Sequence, residues 1–351
     1  MTSGVTSVAF CIPGDLALPT GGYRYDREVL ARLGGQGLDV RHVRLAGGYP
    51  APSVDDIAAT ASVLKAIDRK TLLLIDGLAL GAMPPDLIGA LPHKIIALIH
   101  HPLGLEAGLL PERERFLLAN EKAVLARVRH VIVTSALTAR TLEQDFAVPH
   151  HALTVAEPGT ARALRTRGTG KPVRILAVGA VSPRKAYDRL VSALAPLAAL
   201  DWHLTIAGAL NRAEDTVNAL RDLIADSGCP DRFTLAGPVS DEALAALYDQ
   251  SDLFAMSSLY EGYGMALTEA LARGLPIVTS SGGAAAETVP DAAALKVPPG
   301  DVMLLSDALY RTISDATLRR RMADAAWAAG ALLPTWDDTA HDIAEAIRAF
   351  A

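Results

Sequence analysis

Along the first half of the chain, short apolar runs alternate with longer stretches in which apolar residues recur every three or four positions. The runs cover residues 5–12, 40–45, 71–76, 95–99, 130–134 and 153–156. They are short and rich in Val, Ile and Leu, which predicts strands buried on both faces of a parallel sheet. Between them the spacing predicts helices at 23–33, 54–67, 111–129 and 136–146, the last capped by Ser135. In 111–129, PERERFLLANEKAVLARVR, the charges are expected on one face and Leu, Phe and Val on the other. The pattern lapses over 162–172, RALRTRGTGKP, a polar, glycine-bearing segment with the composition of a linker. It then restarts, with strands at 173–178, 204–207, 233–235 and 253–256 and helices at 187–197, 214–227 and 241–250. A final amphipathic helix is expected at 336–350.

This alternation predicts an α/β protein of two Rossmann-like domains, 1–165 and 166–330, followed by a helical segment at 331–351. The opening strand, loop, helix and strand form a β-α-β unit whose loop, 13–22, ends in Thr20-Gly21-Gly22. The dinucleotide fingerprint G-x-G-x-x-G is absent.

Composition changes this picture little. The 351 residues are 50% hydrophobic and 21% charged, enough to bury two sizeable cores. Net charge is −6, which argues against non-specific nucleic-acid binding. Residues 1–165 are near neutral and 166–351 carry the negative excess, a division compatible with a membrane-docking first domain. Cys11 and Cys229 match no metal or redox spacing and read as buried thiols in a reducing compartment. The N-terminus reads as a first strand and not as a signal peptide, and no run of 18 apolar residues occurs, so a cytoplasmic protein is expected.

The chemistry concentrates in 257–290, SSLYEGYGMALTEALARGLPIVTSSGGAAAETVP. Glu261 and Glu269 stand eight residues apart around the turn Gly262-Tyr263-Gly264. A helix at 265–272, a buried strand at 275–279, a small-residue loop at 280–286 and a helix opening at Glu287 are expected to follow. Glycines at both loops let backbone N–H groups approach a phosphate or a sugar hydroxyl. Upstream, Arg184 and Lys185 follow a strand in VGAVSPRK; two cations at a strand end suit a diphosphate. At the end of another strand, His100 and His101 are a polar pair where α/β folds put ligands. No D-x-D motif and no His/Cys cluster occurs, so no metal is expected.

The stretch resembles the signature of the family 4 retaining glycosyltransferases. The matching residues are Glu261, Gly262, Tyr263, Gly264, Glu269, Gly274, Pro276, Gly282, Gly283 and Glu287. The chain departs from the pattern at Tyr263, where Phe is usual, at Ala266, near which Pro is common, and at Ala286, where the loop often has Pro. The resemblance implies a GT-B fold, two Rossmann-like domains with parallel sheets facing a central cleft, the last helix packing back on the first domain. It implies a nucleotide-diphosphate sugar, UDP-glucose-like by default, held by the second domain as co-substrate, and no cofactor. The acceptor, held by the first domain, is left open among a glycan, a lipid and a small molecule.

The resemblance also assigns roles. Glu269 would hydrogen-bond the ribose and Glu261 the sugar hydroxyls. Gly262, Tyr263, Gly264, Met265 and Ala266 would offer backbone to the sugar and phosphate. Arg184 and Lys185 would bind the donor diphosphate beside Gly179; Gly usually follows this pair where the chain has Ala186. Gly21 and Gly22 would lie near the donor phosphates, and a histidine at His100 or His101 would touch the sugar or the acceptor. Reaction would proceed on one face of the sugar, the departing diphosphate helping to take the acceptor proton. Two rivals remain at this point: a nucleotide-sugar epimerase on the same architecture, and a two-domain small-molecule binding protein.

Overall fold

Two six-stranded parallel sheets organise the chain, a computed structural model that describes residues 6–211 and 213–350. The first unit comprises Met1–Gly159 and Pro334–Ala351, the second Thr160–Leu333. In chain order the first holds β1 (Ser7–Pro13), α1 (Gly21–Leu33), β2 (Asp39–Leu45), α2 (Val54–Lys65), β3 (Leu72–Asp76), α3 (Gly77–Leu80), α4 (Pro85–Gly89) and β4 (Ile95–Ile99). There follow α5 (Pro111–Leu125), β5 (His130–Val133), α6 (Ala136–Asp145) and β6 (Leu153–Val155). The second unit holds β7 (Val173–Val178), α7 (Tyr187–Leu194), β8 (Trp202–Ala207), α8 (Glu214–Ala225), β9 (Phe233–Gly237), α9 (Asp241–Asp249) and β10 (Leu253–Met256). It continues with α10 (Met265–Leu271), β11 (Ile277–Ser280), α11 (Ala285–Thr288), β12 (Ala294–Val297), α12 (Val302–Ser314) and α13 (Ala316–Gly330). The last helix, α14 (Trp336–Phe350), belongs to the first unit.

The strand orders are β2-β1-β3-β4-β5-β6 and β12-β11-β10-β7-β8-β9. β3, β4, β5, β10 and β11 are buried along their whole length. That is why they read as unbroken apolar runs, since a parallel sheet covered on both faces leaves no polar side. The start of the first expected strand, Val5, lies outside the described residues.

Several local expectations are corrected. Gly21 and Gly22 are the first two residues of α1, not the end of a loop, because Thr20 caps the helix through the N–H of Tyr23. The helix predicted to reach 129 ends at Leu125, and its faces are not as expected: Glu121 is fully buried and Phe116 is 53% exposed. The Arg113 guanidinium lies over the Phe116 ring, 5.3 Å from its centroid. The strand expected from 275 begins at Ile277, because the Leu275 N–H closes the preceding helix end on the Ala270 carbonyl and Pro276 has no N–H. Cys229 is only half-buried. β12, α12 and α13 had no counterpart in the sequence reading.

The segment 162–172 is irregular but fastened within the second unit. Arg162 donates to the carbonyls of Gly330 and Ala331, and the Asp252 carboxylate accepts from the N–H groups of Thr169, Gly170 and Arg174. These bonds place the boundary between the units at Gly159 and Thr160. Within the first unit, α14 packs on α1 through the edge-on rings of Tyr25 and Trp336, and Thr339 donates to the Glu157 carbonyl.

Candidate functional site

Beyond β7, the chain turns at Gly179, whose φ is 147°. A Cβ there would stand 2.7 Å from Cε of Lys185, so only glycine lets that side chain lie against the strand end. Pro183–Lys185 form one 3₁₀ turn, and Ala186 follows in the left-handed region at φ 48°. The turn is fastened to the end of β10. Ser257 donates to the carbonyls of Lys185 and Ala186 at 3.0 and 2.9 Å, and the Leu259 N–H donates to the Arg184 carbonyl at 2.8 Å.

This anchoring aims both cations at Glu261. Lys185 Nζ is 2.7 Å and Arg184 Nη1 3.3 Å from Oε1 of Glu261, and Arg184 also donates to the Tyr260 carbonyl. Glu261 is only 6% exposed. Burial alone would raise its pKa; the charges of Lys185 and Arg184, with the hydrogen bond from Lys185, outweigh burial and hold it at about 2. Two cations against one carboxylate leave this corner with a surplus positive charge, which suits an anionic ligand.

The backbone of Glu261 is laced to the second glycine loop. Its N–H donates to the Gly282 carbonyl and its carbonyl accepts from the Ala284 N–H, forming a parallel bridge to Gly283. A Cβ at Gly282 would lie 2.2 Å from the Leu259 carbonyl oxygen, so the two loops touch backbone to backbone.

Gly264, at φ 96°, turns the chain into α10, which Met265 and Ala266 open. Thr288 donates to the Tyr263 carbonyl at 2.8 Å and holds the Gly262–Gly264 turn from the other side. Glu269 lies on α10, 9% exposed, and its Oε2 accepts from the Tyr248 hydroxyl at 2.9 Å. Tyr248 is itself fully buried, with the Arg273 guanidinium 4.5 Å over its ring. Glu269 is therefore held by a partner different from those of Glu261.

In the first unit, His100 follows β4. Its Nε2 is 3.1 Å from Oδ1 of Asp26 on α1 and 3.4 Å from Oδ2 of Asp76 at the end of β3. The ring of Tyr25 meets it edge-on at 5.0 Å between centroids, and Thr134 donates to its carbonyl. Gly22 lies against the imidazole, where a Cβ would be 3.4 Å from Cδ2. Gly21 starts α1 at the surface. His101 takes another direction, with Nε2 3.8 Å from Glu106. Burial would lower the pKa of His100, but the charges and hydrogen bonds of Asp26 and Asp76 override it and raise it to about 10. Asp26 is pushed well up by burial and then by the Asp76 charge; Asp76, despite its burial, is held low by its hydrogen bond to His100.

The structure thus brings Gly179, Arg184, Lys185 and Glu261 together in one unit, and Gly22 and His100 in the other. Four residues here escaped the sequence reading: Ser257, Tyr248, Asp26 and Asp76. Asp26, Asp76 and His100 place one donor-type atom each within 4.8 Å of one another. Nε2 is hydrogen-bonded to Asp26 and lies 3.4 Å from Asp76, a geometry in which the two carboxylates and the ring can share protons.

Residues 165–328 match the family described as glycosyl transferases group 1. The second unit belongs to that family. The match spans both glycine loops, Arg184, Lys185, Glu261 and Glu269, the residues that built the site above. The chain is 29% identical over 253 residues to an MMP α-(1→4)-mannosyltransferase of Mycolicibacterium hassiacum, covering 68% of this chain and 61% of that protein. It is 29% identical over 247 residues to a D-inositol 3-phosphate glycosyltransferase of Nocardia farcinica, covering 65% and 54%. The matched part of the chain thus spans less than two thirds of these relatives' own length. A solved sucrose-phosphate synthase from Thermosynechococcus elongatus superposes with a TM-score of 0.83 at 20% identity, over 98% of both chains. HepE from Anabaena, solved with UDP and glucose, gives 0.77 at 18%, over 98% and 99%. With the group 1 domain, this likeness gives the fold as GT-B. Among the described residues no helix is long and apolar enough to cross a membrane.

Proposed function

We propose that the chain is a retaining glycosyltransferase that moves a hexose-type sugar from a nucleotide-diphosphate donor to an acceptor hydroxyl. The observation that carries this reading is the buried Glu261 carboxylate held by Lys185 and Arg184 at the mouth of two interlocked glycine loops. An anion and a polyol are the ligands such a corner favours: the cations meet the diphosphate, and the fixed carboxylate accepts from sugar hydroxyls. Because Glu261 is ionised and doubly paired, its role is to orient the sugar and not to donate a proton. Glu269, held by Tyr248, takes the ribose. UDP-glucose is the default donor, in keeping with the UDP and glucose found in HepE. The relatives' names cover a mannosyltransferase and an inositol 3-phosphate glycosyltransferase, so the acceptor stays open among a glycan, a lipid and a small molecule.

In this reading the leaving diphosphate is neutralised by Arg184 and Lys185, so no divalent ion is required. The test is release of nucleoside diphosphate from nucleotide sugars in excess EDTA, with product sugars identified. Turnover that persists, with the sugar transferred or hydrolysed, supports the reading. Complete loss restored by Mn²⁺ or Mg²⁺ overturns the metal-free part, and an epimerised sugar still bearing its nucleotide overturns the transferase part.

A further inference from the structure

Two buried carboxylates converge on one imidazole nitrogen in the first unit, and nothing in the reading above gives them a task. Asp26 is fully buried and Asp76 is 1% exposed. Both face Nε2 of His100, so that nitrogen must carry a proton, because a bare ring nitrogen would meet two acceptors. Asp76 also accepts from the Leu78 N–H at 2.6 Å, as the cap of α3, which favours its ionised form. Oδ2 of Asp26, by contrast, is buried with no hydrogen-bond donor. A carboxyl oxygen so placed is satisfied only if it carries a proton, and an oxygen of the Asp76 carboxylate lies within 4.8 Å of the Asp26 carboxylate to share it. The balanced arrangement is an ionised Asp76, an Asp26 carboxyl that shares a proton with it, and a His100 protonated at Nε2 and also at Nδ1, the second proton offsetting the negative charge left buried on the two carboxylates. Around the ring, Tyr25 on α1 stands edge-on, Thr134 after β5 donates to the His100 carbonyl, and Gly22 offers no side chain.

We propose that Asp26 and Asp76 are positioning residues that fix His100 in one orientation as an imidazolium, so that it serves the transfer reaction as a hydrogen-bond donor and fixed positive charge and not as a base. Burial of a lone histidine would favour the neutral ring, so the charge is a property of the pair and not of the position. The part of the proposal that concerns the reaction rests on the glycosyltransferase reading; the protonation state does not.

The experiment uses the full chain labelled with ¹⁵N-histidine. The His100 ring signals are assigned by their loss in His100→Gln. In the wild type they should show two protonated nitrogens, unchanged from about pH 6 to about pH 8.5. In Asp76→Asn, which keeps a residue able to cap α3, and in Asp26→Asn, the ring should titrate below about pH 8. Transfer by Asp76→Asn should then fall at least tenfold between about pH 6 and about pH 8.5 while the wild type changes little, with activity rescued at the acid end. A wild-type His100 that is neutral at pH 7, or one equivalent of bound metal lost in Asp76→Asn, overturns the proposal. A charged His100 in a protein that transfers no sugar from any donor would instead overturn the glycosyltransferase reading and leave the assignment of charge intact.

Discussion

Lys185 and Glu261 are 76 residues apart in sequence and 2.7 Å apart in space. The pair joins the turn after β7 to the loop after β10, neighbouring strands of one sheet, and it is the point where the two signature motifs of the chain meet. Its strength depends on burial, since Lys185 and Glu261 side chains are 12% and 8% exposed.

Lys185→Met should therefore act on both binding and stability. Loss of one charge-assisted contact to a diphosphate is expected to weaken nucleoside diphosphate binding by roughly ten- to a hundredfold, read by calorimetry. The same change releases Glu261. Its folded pKa of about 2 lies below the ordinary 4.5, so its contribution is present above pH 4.5 and is lost as pH falls toward 2. Wild-type stability should thus drop through that window more steeply than that of Lys185→Met. Parallel acid-unfolding curves would contradict the pairing.

Ala186 sits at φ 48°, where L-residues are strained by about 1–2 kcal/mol and glycine is not. Ala186→Gly removes that strain but frees the unfolded chain by about 0.4–1 kcal/mol. The expected result is a gain of up to ~1 kcal/mol in urea unfolding with donor binding kept. A clear loss of stability would show that the Ala186 methyl, which is buried, contributes more packing than the turn costs.

Glu121 is a second test of burial. It is fully buried, Oε1 has no hydrogen-bond partner among the described residues, and the Gly104 N–H lies 3.5 Å from Oε2. Burial, only partly offset by the backbone N–H groups of Leu103 and Gly104, raises it from 4.5 to about 7. A raised carboxyl makes the folded state bind its proton more tightly than the unfolded one, so stability falls as pH rises from about 4.5 through 7, by ~3 kcal/mol in all. Glu121→Gln should abolish that fall, making the variant more stable than the wild type at pH 8 and similar at pH 4.5. Thermal melts at both values check it, and an unchanged pH dependence would contradict it.

How much of this was legible in the sequence follows from the same residues. The sheets were readable because buried parallel strands such as β3 and β4 leave continuous apolar runs. Arg184, Lys185 and Glu261 could be singled out because they follow strand ends near glycines, and Glu269, inside α10, only by its spacing from Glu261 and the family signature. Asp26 and Tyr248 were not, since a polar residue on a helix looks the same whether its side chain meets water or a buried partner 74 or 21 residues away. Asp76 was counted as the end of a strand, and only the packing of β3 beside β4 brings it to His100. The faces of α5 were misjudged for a related reason. Periodicity assigns Glu121 outward, and the small Gly81 opposite it, where a Cβ would lie 2.8 Å from the carboxyl, is what admits it to the core.

The two glutamates of the signature test the central claim most directly. Glu269, held by the Tyr248 hydroxyl, is assigned to the ribose, and Glu261, held by Lys185 and Arg184, to the sugar. Calorimetry with a nucleoside diphosphate, run beside single-turnover assays with the matching nucleotide sugar, separates the two ends of the donor. Glu269→Gln should weaken the nucleoside diphosphate by roughly ten- to a hundredfold, the cost of one charge-assisted hydrogen bond. Glu261→Gln should bind it no more weakly than the wild type while turnover falls strongly. The reverse pattern would mean that the ends of the donor are assigned wrongly, and wild-type behaviour of both variants in both assays would contradict the donor site itself.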